Sequence, residues 1–208
     1  SAAQRISAFF APLIADGWDV VPLTTSCALM LKFEWPLIEP DNADVKLLSQ
    51  HAFDVSEYVV RLAKDTGLAP IESMPQSIAV HFACHARAQN MGPKAMEMLR
   101  LIPEAKPQLT ERCSGHGGKW GIFKENFDTA IKVGKTTGKN LLKGDPDIIV
   151  SECPLAGPHL RQVIAANGGE PPAQYPCSVI FTQPRQTLSL SSRLYCAARN
   201  RSNWTYTG

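Results

Sequence analysis

Cysteine and histidine residues fall in three short segments of the chain, and these residue types point to metal chemistry. The segments are VHFACHARAQ (80–89), ERCSGHGGKWG (111–121) and SECPLAGPHL (151–160). Thiolates bind soft and borderline metals strongly, and glycines let the backbone approach a site closely and offer N–H groups to sulfur. The cysteines are too far apart in sequence to form a local zinc finger or a ferredoxin-type run. Spacing alone therefore suggests a metal site and leaves the metal open.

The predicted elements explain how cysteines so distant in sequence would meet. A short apolar strand is predicted just before each of Cys27, Cys84, Cys113 and Cys153. Apolar positions at helical spacing predict helices over 2–16, 54–66, 93–101, 122–143 and 158–168. Strands alternating with helices predict an α/β fold with a mostly parallel sheet flanked by helices. Because ligands in such folds lie at the carboxyl ends of strands, we expect a metal site on the loops at one edge of one sheet.

Composition limits the function classes. The 208 residues are 44% hydrophobic and 19% charged, which indicates a globular chain. A net charge of +2 is too small to indicate nucleic acid as the main partner. Six cysteines in this length do not make a disulfide scaffold. The sequence contains no transmembrane run, no signal peptide, no P-loop, no dinucleotide fingerprint and no nucleophilic triad.

The character of the chain changes near residue 170, which predicts a metal-binding domain over 1–170 and an atypical basic tail over 171–208. The tail contains four arginines and no acidic residue, so it carries +4 and leaves −2 for residues 1–170. A basic tail is either a solvated end or a contact for an acidic partner or an anionic membrane. Cys177 and Cys196 lie in this tail and are not expected to bind the metal.

The three segments resemble the cysteine-rich CCG domain found in subunits of heterodisulfide reductase, of the anaerobic glycerol-3-phosphate dehydrogenase and of glycolate/lactate-oxidising relatives. That family has a His-x-x-Cys-His strand end, a Cys-Cys-Gly followed by a glycine turn, and a Cys-Pro-x-Cys. The match runs from about residue 20 to 168, and TTSCALMLKFEWP resembles the family's upstream Ser-Cys segment. The matching positions are His81, Cys84, His85, Cys113, Gly115, Gly117, Gly118, Cys153 and Pro154.

The resemblance implies a set of ligands, and two departures from the family modify it. Ser114 and Ala156 stand where the family has cysteines, so the five thiolates of the family's non-cubane cluster are not all present. The four that remain suit a [4Fe–4S] cluster, with a structural zinc as the alternative. The implied metal ligands are Cys27, Cys84, Cys113 and Cys153, and the implied cofactor-binding residues that orient ligands or hydrogen-bond to sulfur are His81, His85 and His116.

The resemblance also implies a function and a location. It indicates an iron–sulfur electron-transfer domain or subunit of a respiratory dehydrogenase complex, non-catalytic by itself. Its partners would be a flavoprotein dehydrogenase subunit or other iron–sulfur subunits, and its location cytoplasmic or peripheral on the inner face of the membrane. The chain lacks ferredoxin-type Cys-x-x-Cys runs, so we expect it to be one half of such a subunit or a stand-alone relative. The alternative is a zinc-binding or redox-silent assembly module with a degenerate site.

Overall fold

The fold was analysed in a computed structural model, which describes residues 1–176 and 198–199. Within these residues the helices are α1 (Ala2–Ala15), α2 (Thr25–Leu29), α3 (Trp35–Ile38), α4 (Ala43–His51), α5 (Val55–Asp65), α6 (Cys84–Ala88), α7 (Lys94–Leu99), α8 (Lys124–Leu141) and α9 (Ala156–Ala166). The strands are β1 (Trp18–Asp19), β2 (Ser77–His81), β3 (Lys106–Thr110), β4 (Ile148–Ser151), β5 (Ala173–Pro176) and β6 (Ala198–Arg199). A π-helical turn spans Met30–Glu34 and a 3₁₀ turn spans Trp120–Ile122.

Two compact units divide the described residues. The first contains residues 1–68 and the strand β6, and the second contains residues 69–176. The predicted metal-binding domain over 1–170 and basic tail over 171–208 stay a prediction, because most of the tail lies outside the described residues. Strand β5, which follows that predicted boundary, pairs with β4 in the second unit.

Helices α1 and α4 build the core of the first unit. Their apolar faces share one buried cluster that includes Ile14, Val45 and Leu48. Ser1 forms a capping box with Gln4 at the start of α1, which satisfies backbone N–H groups that the helix itself leaves unpaired. Asp54 and Glu57 form the same arrangement at the start of α5.

The region around Cys27 differs from the expectation. β1 is only two residues long and pairs antiparallel with β6, so it does not belong to the parallel sheet. Cys27 lies within α2, which the π-helical turn and α3 continue. The apolar run before Cys27 was predicted to be a strand, but Val20 makes a single parallel bridge, to Ala52. Strand length depends on pairing partners as well as on apolar composition, and here the described partners are short.

A parallel sheet forms the centre of the second unit and confirms the predicted α/β fold class. Among the described residues four strands lie in the order β3-β2-β4-β5, and every adjacent pair is parallel. Ala79 and Ile149 pack with Leu141 of α8 and Leu160 of α9 in one buried cluster. Both helices therefore cover the sheet through apolar side chains.

Most predicted helices agree with the structure to within a few residues. The stretch 122–143 is helical over Lys124–Leu141, and 54–66 is helical over Val55–Asp65. In the described part of the chain no helix is both long enough and apolar enough to cross a bilayer.

Candidate metal centre

Three of the predicted ligands lie just beyond the carboxyl ends of three neighbouring strands. β2 ends at His81, β3 at Thr110 and β4 at Ser151, and these three terminal residues are in register with one another. Cys84, Cys113 and Cys153 follow those ends within two or three residues. Parallel strands in register place their following loops at one edge of the sheet. The expectation that these three cysteines share that edge is thus confirmed.

The fourth predicted ligand belongs to the other unit. Cys27 lies on α2 in residues 1–68, whereas the other three cysteines lie in the second unit. None of these four cysteines forms a disulfide; three of the side chains are exposed and that of Cys153 is half-buried. Cys177 and Cys196 lie outside the described residues.

His81 connects all three strand ends through hydrogen bonds. Its imidazole is 2% exposed, with Nδ1 3.0 Å from Ser151 Oγ and Nε2 3.0 Å from the Arg112 carbonyl oxygen. A carbonyl oxygen only accepts, so Nε2 carries the proton and donates it to Arg112. Burial lowers the pKa of His81, which favours the neutral ring, and Nδ1 then accepts from the Ser151 hydroxyl. With both nitrogens engaged, His81 holds the loops together, and its part in cofactor binding stays a prediction.

The end of β4 makes two further bonds to the cysteine loops. Ser151 Oγ accepts from the Cys153 backbone N–H at 3.2 Å. The carboxylate of the buried Glu152 accepts from the Ala83 N–H at 3.1 Å, next to Cys84. The Cys153 side chain packs against the cluster formed by Phe82, Ala83 and Ala86. The Cys84 and Cys153 loops are therefore in direct contact.

The glycine turn after Cys113 is held by α8. Thr137 on that helix donates a hydrogen bond to the Cys113 carbonyl oxygen, and the Gly115 N–H donates to Cys113 Sγ at 3.4 Å. Gly115 has φ +83°, and a Cβ there would overlap the Ala130 carbonyl oxygen. On the helix, a Cβ added at Gly134 would overlap the Ser114 carbonyl oxygen in the same way. Two glycines without side chains thus allow the turn and the helix backbone to touch.

His116 and His159 form a buried pair that sequence reasoning only half recognised. Their ring centroids are 5.6 Å apart, and the two residues are 6% and 4% exposed. Within the part of the chain that the structure describes, the Nε2 atom of each ring has no hydrogen-bond partner. Burial is the main cause that lowers the pKa of both rings. His116 was among the residues predicted to bind the cofactor, whereas His159 was not among the predicted site residues. No signal in the sequence relates the two, because 42 residues separate them.

The remaining predicted positions lie close to the same edge. His85 follows Cys84 on α6 and is half-buried. Ser114, at the first missing family cysteine, accepts from the His116 N–H through Oγ at 3.4 Å. Ala156, at the second, is the buried first residue of α9. Ser151, Glu152 and Thr137 were not predicted as site residues, although Ser151 and Glu152 lie within the quoted segment SECPLAGPHL.

The donor set at this edge suits a thiophilic group. Three thiols follow the strand ends at this edge, and the Gly115 N–H of the glycine turn donates to Cys113 Sγ. Thiolate ligands favour zinc or iron–sulfur clusters. Across residues 1–176 and 198–199, however, no three Cys, His, Asp or Glu side chains are grouped closely enough to hold a metal ion. The exposed cysteine side chains have to move toward one another before they could share one.

Comparison with known proteins gives sequence relatives at low identity. The chain is 26% identical over 138 residues to a subunit of the anaerobic glycerol-3-phosphate dehydrogenase of Escherichia coli, covering 66% of this chain and 34% of that protein. An uncharacterized iron–sulfur protein of Methanocaldococcus jannaschii is 26% identical over 114 residues, 54% of this chain and 23% of that protein. A subunit of the fumarate reductase (CoM/CoB) of Methanothermobacter marburgensis is 23% identical over 158 residues, 74% of this chain and 30% of that protein.

The chain is similar to iron–sulfur proteins. The resemblance to a subunit of the anaerobic glycerol-3-phosphate dehydrogenase is confirmed at this level of identity. No protein-family model matches the chain, so the CCG domain itself stays a prediction. The chain spans about a third or less of the length of these relatives.

Among solved structures, glutamate racemase isoform RacE1 from Bacillus anthracis aligns with a TM-score of 0.43 at 16% identity. The alignment covers 92% of this chain and 67% of that one. A likeness at this TM-score bears on neither fold nor function.

Proposed function

We propose that this chain is an iron–sulfur electron-transfer domain of a multi-subunit dehydrogenase or reductase. The observation that carries the proposal is the placement of Cys84, Cys113 and Cys153 beyond three neighbouring parallel strands. The names of its relatives, which include an iron–sulfur protein and subunits of two oxidoreductases, support the same role. When bound, a cluster would supply one-electron redox chemistry, while this chain would supply thiolates, backbone N–H groups and a fixed sheet edge.

The proposed ligand set is Cys27, Cys84, Cys113 and Cys153, and the proposed cluster is [4Fe–4S]. Four thiolates are what such a cluster requires. Cys27 enters on the resemblance of TTSCALMLKFEWP to the family's upstream segment. His85 and His116 are proposed to lie around the cluster and to orient ligands or hydrogen-bond to sulfur.

The proposed partners are a flavoprotein dehydrogenase subunit or other iron–sulfur subunits, with a cytoplasmic or peripheral location on the inner face of the membrane. The relatives' names support partners of this kind, since two of those proteins are subunits. Co-purification of the chromosomally tagged chain, before and after a carbonate wash of the membranes, tests both points. Recovery of the chain without any co-purifying subunit would contradict the proposed partners, and a chain that stays in the membranes after the carbonate wash would contradict the proposed location.

Metal and sulfide analysis of anaerobically purified protein tests the proposed function. The expected result is about four iron and four acid-labile sulfide per chain for a [4Fe–4S] cluster, with broad absorbance near 400 nm that bleaches on reduction. Iron without sulfide, or no bound metal, would contradict the proposal.

A zinc-binding or redox-silent assembly module is the second candidate, and the missing thiols at Ser114 and Ala156 favour it. Zinc needs only four ligands and has no redox chemistry. A colourless protein with one zinc per chain would agree with the proposed cysteine ligands and would contradict the electron-transfer role.

A further inference from the structure

Ser151 occupies a central position between two of the proposed ligands. Its hydroxyl oxygen accepts from the Cys153 N–H and donates its own proton to His81 Nδ1, at 3.2 and 3.0 Å. His81 Nε2 then donates to the carbonyl oxygen of Arg112, the residue before Cys113, at 3.0 Å. Ser151 and His81 are 1% and 2% exposed, so water does not compete for these bonds.

The Arg112 carbonyl and a neutral ring together fix the direction of the hydrogen bonds of His81. The carbonyl oxygen only accepts, so Nε2 must donate to it, and Nδ1 of the neutral ring must then accept from the Ser151 hydroxyl, whose oxygen also accepts from the Cys153 N–H. A side chain without a hydroxyl at position 151 would leave the His81 Nδ1 and the Cys153 N–H without these partners. A buried polar group that loses its partner is costly, so both loops would have to shift.

We infer that Ser151 is a positioning residue that sets the Cys113 and Cys153 loops relative to each other through His81. The inference rests on the metal centre proposed above and deepens it. Ser151 begins the segment SECPLAGPHL, but the sequence pattern assigns it no role. Because partners of metal ligands commonly change metal affinity by about 10–100-fold when they are removed, the effect of losing this hydroxyl is expected to be measurable.

The sheet provides a matched control at its opposite end. Ser77, the first residue of β2, donates through Oγ to Asp147 Oδ2 at 2.8 Å and accepts from the Asp147 N–H at 3.0 Å. Ser77 and Ser151 thus each donate one hydrogen bond and accept one. Both bonds of Ser77 join β2 to the β4 segment, whereas Ser151 reaches β2 through His81 and accepts from Cys153 within its own segment. Only Ser151 lies at the cysteine edge, so a purely structural role would be shared and a positioning role would not.

Anaerobic titration of the reduced, metal-free protein with Co²⁺ separates the two roles, because thiolate-to-cobalt absorption bands report cysteine ligation directly. Ser151→Ala is expected to weaken Co²⁺ binding by about 10–100-fold. Ser77→Ala is expected to bind Co²⁺ as the wild type does, although it also loses two hydrogen bonds. Urea unfolding of both variants measures the structural cost alone.

Three outcomes overturn the positioning role and a fourth overturns more. Wild-type affinity in Ser151→Ala, or equal losses in both serine variants, would refute it. Nitrogen-15 chemical shifts of His81 in the wild-type protein give a test that needs no variant: a neutral ring with its proton on Nδ1 could not donate to the Arg112 carbonyl oxygen, and the link from Ser151 to the Cys113 loop would be refuted. A wild-type chain that binds no Co²⁺ through thiolates would overturn the proposed centre, and the role of Ser151 with it.

Discussion

At the scale of single residues, Cys113 is a proposed ligand that the surrounding structure holds through both its sulfur and its carbonyl oxygen. It follows the end of β3, its carbonyl is held by Thr137, and its sulfur accepts from the Gly115 N–H. Cys113→Ser keeps the size of the side chain and removes the thiolate. We expect it to lose most of the bound metal, measured by elemental analysis. Cys177→Ser is the control, because the tail was not predicted to contribute a ligand; equal metal in both variants would refute the assignment.

The buried histidines predict how stability depends on pH. Burial lowers the pKa of His81, His116 and His159 below the value near 6.5 of an unfolded chain. Between the lowered values and about pH 6.5 the unfolded chain binds more protons than the folded one, so stability falls as the pH drops through that window. Urea unfolding of the metal-free protein at pH 8 and pH 5.5 should show this loss.

His159→Phe isolates one contribution to that pH dependence. The His159 ring centroid lies 6.4 Å from that of Phe127, and among the described residues its Nε2 has no hydrogen-bond partner. Phenylalanine keeps the shape of the ring and removes the titrating group, at the cost of the backbone hydrogen bonds with Ala130 and Ser114. We expect the variant to keep most of its stability at pH 8 and to lose less of it at pH 5.5. An unchanged difference between the two pH values would show that His159 does not titrate with folding.

At the scale of elements, the contact between the glycine turn and α8 decides where Cys113 lies. Gly134→Ala would drive a Cβ into the Ser114 carbonyl oxygen and to 2.8 Å from Val163 Cγ2. Such overpacking costs about 1–3 kcal/mol, against a helix-propensity gain of about 1 kcal/mol. We expect a net loss of stability in urea unfolding, together with weaker metal binding.

Gly138→Ala, one turn further along α8, is the matched control for that variant. The nearest atoms to its Cβ would be side-chain carbons of Val163 and Ile164 at 3.1 and 3.2 Å, which are able to yield slightly. This variant should be close to neutral and should bind metal normally. A Gly134→Ala protein as stable as Gly138→Ala would show that the turn does not rest on the helix backbone.

At the scale of the whole molecule, residues 67–76 connect the two compact units as a segment without helix or strand, which is mostly exposed although Met74 is buried. Glu72 lies exposed within it and is followed by Ser73, whereas the exposed Glu170 is followed by Pro171, which resists cleavage. Brief digestion with a glutamate-specific protease should therefore cut first after Glu72. Mass spectrometry should find fragments 1–72 and 73–208; earlier cuts within either unit would contradict this division of the chain.

The sequence by itself determined the fold class and the position of three cysteines. Apolar segments before Cys84, Cys113 and Cys153 alternate with helical periodicity, and alternating strands and helices form parallel sheets with helices on their faces. Since parallel strands end at one edge, the order of motifs along the chain was enough to bring these three residues together. Helices such as Lys124–Leu141 were predictable for the same reason, because their periodicity is local.

The tertiary structure decided what local patterns do not contain. Whether the segment before Cys27 forms a long strand depends on its pairing partners, and in the described residues it pairs only through β1 and a single bridge. The bond from Ser151 to His81 spans 70 residues, and 42 residues separate the facing rings of His116 and His159. Such contacts form between residues that are distant in sequence and become neighbours only in the folded chain. Strand register decides the pairing of Ser151 with His81, and the packing of the glycine turn and α9 decides that of the two rings.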